Sequence, residues 1–406
     1  MNLPSSNGLI YSSREVYDTV LTNHKIDLTT GFMSYFDNLE VALPPKFEQC
    51  HDLVCHITEL LKNKTLIPEI HKLSFGEDDL RYLDSDAKAT KVFAIFAYLT
   101  NAYIHTIDPE YRRIPPQLWM PYSYTGNLLG IREIYCLWAP IHGVAMVDRE
   151  APCSYDNTQL LYSFTGTPSE AYFFKANYLS TRSLIILIDM CYDLNNICYK
   201  YLNEESKEIS FRDFTRADVH LINEYLNRLA DIIEFSTGQM QLLFSKMDPF
   251  VFFDDMRFYF RGYSAYANEG GVQLGDNDDS KLKYVGPSSG QDPSVFLLKK
   301  MLGIEYPESM KQYEHELRSG FRKPHKDFVE LVGNTSIMHR LKEFDETGES
   351  FEKCLANLRK YYQVHKALVI EFMEKPGIMK GQDISKMRGV GETPIEIIKN
   401  IKNFIE

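Results

Sequence analysis

The chain has 406 residues, 44% of them hydrophobic and 25% charged, with a net charge of −12. That length buries a large core and favours two domains over one, and the composition is that of an ordinary globular protein. The acidic balance argues against nucleic acid as a partner, because phosphate binding needs a concentrated basic surface.

No apolar run approaches the ~20 residues that span a bilayer, so no membrane partner is expected. The segment Met1-Asn2-Leu3-Pro4-Ser5-Ser6-Asn7 has no basic stretch leading into an apolar one, so no export signal is expected either. Seven cysteines, an odd number and widely spaced, fit free thiols in a reducing compartment, and the expected location is cytoplasmic. The 25 Phe and 26 Tyr against 2 Trp suit a core packed around a flat ligand, and equally a plain helical core. Monomer and homo-oligomer both stay open.

Along the first ~150 residues, helices are predicted over 13–22, 49–62 and 85–104, interrupted by turns at Leu43-Pro44-Pro45, Ile114-Pro115-Pro116 and Met120-Pro121-Tyr122. This reads as a small, mainly helical domain over residues 1–150, with 148–169 as its connection to a larger helical domain over 151–406. In that larger part the helical periods cover 169–202, 216–246, 250–260, 293–303, 350–373 and 394–405. Few segments alternate with period two, so the fold class is all-α. Residues 261–292 are rich in Gly, Ser, Asp and Asn without a sustained period. Loops of that length are usually lids, binding loops or disorder.

Several side chains carry candidate chemistry. Glu48-Gln49-Cys50-His51, followed by Cys55, has the spacing of half a metal site. No second Glu-x-x-His appears, and a helix with Cys50, Val54, Ile57 and Leu61 inward explains it. Asp254 and Asp255 are adjacent and so diverge by about 100° on a helix, which rules out a dyad. Phe253 and Arg257 share a face instead, an arrangement suited to an aromatic molecule with a carboxylate. Gly389-Val390-Gly391-Glu392-Thr393 opens the last predicted helix and offers backbone N–H groups to an anion, or simply an N-cap at Thr393 before Pro394. Phe351, Leu355, Leu358, Tyr362, His365, Val369 and Phe372 recur at steps of three and four, so His365 sits on an apolar stripe. An imidazole there is either a satisfied core residue or an axial haem ligand.

In their order along the chain these segments resemble the indoleamine 2,3-dioxygenase superfamily of haem enzymes. The resemblance runs through Ile114-Pro115-Pro116-Gln117-Leu118-Trp119-Met120-Pro121-Tyr122, then Phe252-Phe253-Asp254-Asp255-Met256-Arg257-Phe258-Tyr259. It continues through Gly286-Pro287-Ser288-Ser289-Gly290-Gln291 with Met301-Leu302-Gly303-Ile304, then Lys323-Pro324-His325-Lys326-Asp327-Phe328, His365 and the Gly389–Thr393 turn. It implies an all-helical enzyme holding haem b with His365 as the proximal iron ligand. It also implies O2 activated on ferrous haem and inserted at C2–C3 of tryptophan or a related indole.

By the same resemblance, Phe252, Phe253, Arg257, Ser288, Ser289, Gly391 and Thr393 contact substrate, Phe173, Phe174 and Asn177 line the distal side, and Arg359, Tyr362, Gly389 and Gly290 approach the cofactor. Tyr162–Ala171 and Tyr284-Val285-Gly286-Pro287 are similar to the branch that contains the pyrrolnitrin-pathway enzyme, which rearranges a chlorinated tryptophan. A non-catalytic haem-binding or sensing protein is a third reading. Two positions depart from the family pattern: Tyr362 stands where a propionate-binding arginine is expected, and Glu392 where the family carries glycine.

Overall fold

The computed structural model describes residues 9–33, 41–107, 113–132, 135–203, 205–206, 208–262, 272–274, 281–282, 286–306 and 308–389. Gly391, Glu392, Thr393 and the helix expected over 394–405 lie outside the described residues. The chain is 71% helical, as the absence of period-two segments implies. Its strands are short: Arg113–Ile114 runs parallel to Val272–Leu274, which pairs antiparallel with Lys281–Leu282. A separate pair joins Val144–Met146 to Thr158–Leu160.

Buried apolar side chains form two clusters. One draws on Met33 to Tyr178, Leu243 to Val272 and Val369 to Met387. The other draws on Ile10 to Phe32, Leu184 to Ile233 and Phe296 to Tyr362. Three helical stretches pass from one cluster to the other. Pro168–Ser183 and Leu187–Lys200 contribute Phe174 and Tyr178 to the first and Leu187 to Cys198 to the second. Arg216–Lys246 contributes Ile222 to Ile233 to the second and Leu243 to the first. Asp345–Val369 places Phe351 to Tyr362 in the second and Val369 in the first. His365 lies between those last two contributions.

Side-chain caps set where these helices start. Thr215 accepts from the Asp218 N–H, and Thr167 from that of Glu170. The fully buried Glu170 carboxylate then gathers the preceding turn. It accepts from the N–H groups of Phe164 and Thr165 at 2.8 Å each, and from the Ser163 and Thr165 hydroxyls at 2.6 Å each. All its strong acceptor directions are used, which is what a buried carboxylate requires.

Four segments differ from the periodicity reading. The 49–62 stretch is two helices, Pro45–Cys55 and Ile57–Lys62, because the His56 ring caps the Asp52 carbonyl at 2.8 Å. The 169–202 stretch is broken by a 3-10 turn at Leu184–Ile186, where β-branched residues crowd the helix. The prolines after Ile114 do not make turns. Pro116 is the first residue of a helix over Pro116–Leu129, and Pro121 is accommodated inside it. The 250–260 helix is a π-turn over Val251–Met256 followed by a 3-10 turn over Arg257–Phe260. A second π-turn, Ile370–Glu374, follows the His365 helix.

Candidate active site

A cavity opens where the three crossing stretches separate the two clusters. Its empty space, counting the mouth, is about 1860 Å3. Leu184, Ile233, Leu358 and Tyr362 line it from one cluster, and Phe174, Leu243, Val369 and Phe372 from the other.

Ten of the residues singled out from the sequence line this space: Phe173, Phe174, Asn177, Phe252, Ser288, Ser289, Gly290, Tyr362, His365 and Gly389. Rings distant in sequence meet as one wall. Phe173 lies 5.6 Å from Phe252 and 5.4 Å from Phe260, and Phe252 lies 5.8 Å from Phe372. The small-residue segment is held by Gln291, whose Oε1 accepts from the N–H groups of Leu137 (2.9 Å) and Ser288 (3.0 Å). Gly286 enters that segment at φ +75°, and a Cβ there would stand 2.8 Å from the Phe260 carbonyl oxygen. Only glycine fits.

His365 is half-buried, and its remaining surface opens on the cavity. Neither ring nitrogen has a hydrogen-bond partner among the described residues, and Nδ1 is buried. Burial alone lowers its pKa to about 4, so the imidazole is neutral at pH 7, the form that donates a lone pair to a metal. No group of three or more His, Cys, Asp or Glu side chains is gathered among the described residues. A bare metal ion needs three or four protein ligands, whereas a macrocycle that brings four nitrogens needs one. A lone neutral imidazole facing a flat apolar space fits a haem.

The structure leaves three of the expected residues out of the cavity lining. Phe253 packs beside Gly377, 3.7 Å from where a Cβ would stand, with the Arg257 guanidinium 5.0 Å above its ring. Arg257 donates to the Arg388 carbonyl at 3.0 Å, next to the cavity-lining Gly389. Arg359 points to the surface, paired with Glu352 at 2.5 Å. The Glu48-x-x-His51 unit is likewise local: Glu48 and His51 face each other at 3.5 Å while Cys50, Val54 and Ile57 are buried.

Sequence reasoning missed Thr181, Asp292 and Lys299, all buried and lining the cavity. Asp292 caps Pro293–Leu302, accepting from Ser294 N–H and from the Thr181 hydroxyl at 2.7 Å, and burial raises its pKa. Lys299 was findable, because it recurs with Val295 and Leu302 at steps of four and three on an otherwise apolar helix.

The model of the indoleamine 2,3-dioxygenase family matches residues 20–388. The chain is 23% identical to indoleamine 2,3-dioxygenase 1 of Mus musculus, over 95% of each chain. It is also 23% identical to a 6-hydroxytryptophan 2,3-dioxygenase of Fusarium equiseti, over 96% of this chain and 98% of that one. An indoleamine 2,3-dioxygenase of Aspergillus nanangensis matches at the same identity over 88% of this chain and 87% of its own. The chain belongs to the indoleamine 2,3-dioxygenase family, whose members are haem b-dependent dioxygenases. These relatives give no support to the pyrrolnitrin-pathway rearrangement or to a non-catalytic role, and neither reading is favoured. No helix among the described residues is long and apolar enough to cross a membrane.

Proposed function

We propose that the protein binds haem b through His365 and inserts both atoms of O2 across the C2–C3 bond of tryptophan or a substituted tryptophan. The observation that carries this is the unpartnered, neutral imidazole of His365 at the edge of an apolar cavity between two cores. When bound, the haem supplies the redox chemistry that lets O2 react with an electron-rich ring.

This chain's residues supply position and dryness. Phe173, Phe174 and Phe252 form the aromatic wall against which an indole packs. Ser288, Ser289, Gly290 and Gly389 bring backbone and small side chains to the rim, excluding water. Arg257, already beside Gly389, takes the substrate carboxylate at the mouth. Asn177, whose side-chain amide donates to the Phe173 carbonyl at 2.8 Å, stiffens the wall. Gly391 and Thr393 complete the rim in this reading, and the family resemblance alone supports them. The seven free cysteines support a reducing, cytoplasmic location.

The test uses protein purified from haem-supplied cells. A Soret band that shifts in His365→Ala is expected, together with turnover of tryptophan or 6-hydroxytryptophan under reducing conditions. A Soret band unchanged by His365→Ala defeats the ligand assignment, and absence of any indole-induced spectral change defeats the substrate class.

A further inference from the structure

Lys299 is the cation that the cavity buries. Its side chain is 6% exposed and lines the space between the two cores. It has no carboxylate within 4 Å among the described residues. Its polar contact is the Tyr306 hydroxyl. Its ammonium otherwise lies over aromatic faces: 3.9 Å from the centroid of Tyr306 and 5.5 Å from those of Phe296 and Tyr362.

A buried ammonium in such company is costly unless an anion joins it. Burial pulls its pKa down to about 7, with Glu314 acting only from beyond ion-pair distance. Cation–π contacts of this kind offset part of the cost and leave the charge unneutralised. The chemistry that completes the group is therefore a carboxylate brought in by whatever fills the cavity.

Position decides between the two carboxylates at hand, those of the cofactor and that of the substrate. Tyr362, which Lys299 approaches, precedes His365 by three residues on the same helix, so the lysine lies one turn from the iron ligand's own anchor. Arg257, beside Gly389, instead serves the rim where the substrate carboxylate is expected. Arg359 is engaged by Glu352 on the surface.

We propose that Lys299, with the Tyr306 hydroxyl, binds a propionate carboxylate of the haem, in the place of an arginine at Tyr362. The assignment rests on haem binding through His365, and goes beyond it by naming the residue that orients the macrocycle in its plane. A single axial bond leaves rotation about that bond open, and a charge pair at one edge closes it.

The test titrates apoprotein with haem and with haem dimethyl ester, whose propionates carry no charge, for the unsubstituted protein, Lys299→Met and Lys299→Arg. The unsubstituted protein should bind haem about tenfold or more tightly than the diester. Lys299→Met should lose that discrimination and bind the two alike, and Lys299→Arg should keep most of it. The apo form of Lys299→Met should melt no lower than the unsubstituted apoprotein, since it removes a buried charge that lacks a partner. If Lys299→Met folds poorly, the haem-to-diester ratio in Lys299→Arg and Tyr306→Phe still decides, because misfolding weakens both ligands equally.

Undiminished discrimination in Lys299→Met overturns the proposal. So does normal haem affinity combined with loss of the tryptophan-induced spectral shift and retention of the tryptamine shift, which assigns the lysine to the substrate instead. Failure of the unsubstituted protein to bind haem with a His365-dependent Soret band is a different outcome: it removes the haem reading itself, and Lys299 with it.

Discussion

The guanidinium of Arg257 donates a 3.0 Å hydrogen bond to the carbonyl of Arg388 while lying over the ring of Phe253. The residue expected to grip a carboxylate thus also fastens the chain beside Gly389, and the two roles are separable. Arg257→Ala should lower kcat/KM for tryptophan by about ten- to hundredfold, the worth of a charge-assisted pair. It should lower that for tryptamine, which has no carboxylate, much less. Equal losses for both compounds would leave Arg257 only the fastening role.

Haem should act as a structural member as well as a reactant. The cavity separates two apolar clusters that three helical stretches join, so a flat apolar group there contacts both. Binding to the folded state alone stabilises by about 2.7 kcal/mol at a free ligand concentration of 100 Kd. The melting temperature should therefore rise with haem concentration, and Phe252→Ala should reduce the rise. A melting curve that ignores haem argues against the cavity as its site.

Acid should weaken the apoprotein through three histidines. Burial lowers His365 and His142 to about 4 and His325 to about 3, with Arg322 acting in the same direction on the latter two. The unfolded chain takes up protons near the ordinary value of about 6.5 while the folded chain does not. Their contribution is therefore complete above about pH 6.5 and is lost as pH falls toward 4 and then 3, at up to about 1.4 kcal/mol per pH unit for each. Urea midpoints measured from pH 7 to pH 5 should fall accordingly. His325→Phe should flatten the slope, since His325 already packs against Phe32 and Trp138 at 5.3 and 5.8 Å.

Glu170 anchors the turn that starts the Pro168–Ser183 helix, through four hydrogen bonds in a fully buried setting. Glu170→Ala leaves two N–H groups and two hydroxyls without their acceptor, which costs about 3 kcal/mol or more. Denaturant titration should show it, with Thr165→Val well below it. A change under 1 kcal/mol would mean that water replaces the carboxylate.

Much of this was legible because helical periodicity reports which face is buried. The stripe through Phe351, Leu355, Leu358, Tyr362, Val369 and Phe372 is buried throughout, and His365 on it faces the cavity. Thr215 and Ser85 mark true helix starts for the same local reason, a side chain that reaches the first free N–H groups. What periodicity cannot report is what a charged residue meets. Arg359 and Lys299 are both cations near the expected cofactor, yet one pairs with Glu352 on the surface and the other is buried. Nor does it foresee a change of helical pitch, which is why 250–260 looked like ordinary helix. The prolines at 116 and 121 misled in the opposite way, since a proline at a helix start costs little.

The two π-turns bear on how this chain tolerates change in length. Each accommodates a residue more than α-helix would, and each carries cavity-lining rings: Phe252 in one, Phe372 and Met373 in the other. Removing one residue from either would restore α-helical pitch and swing everything after it by about 100°. Phe372 and the approach to Gly389 would then leave the cavity together. Single-residue deletions, usually benign in loops, should be as damaging in 251–256 and 370–374 as loss of His365 itself.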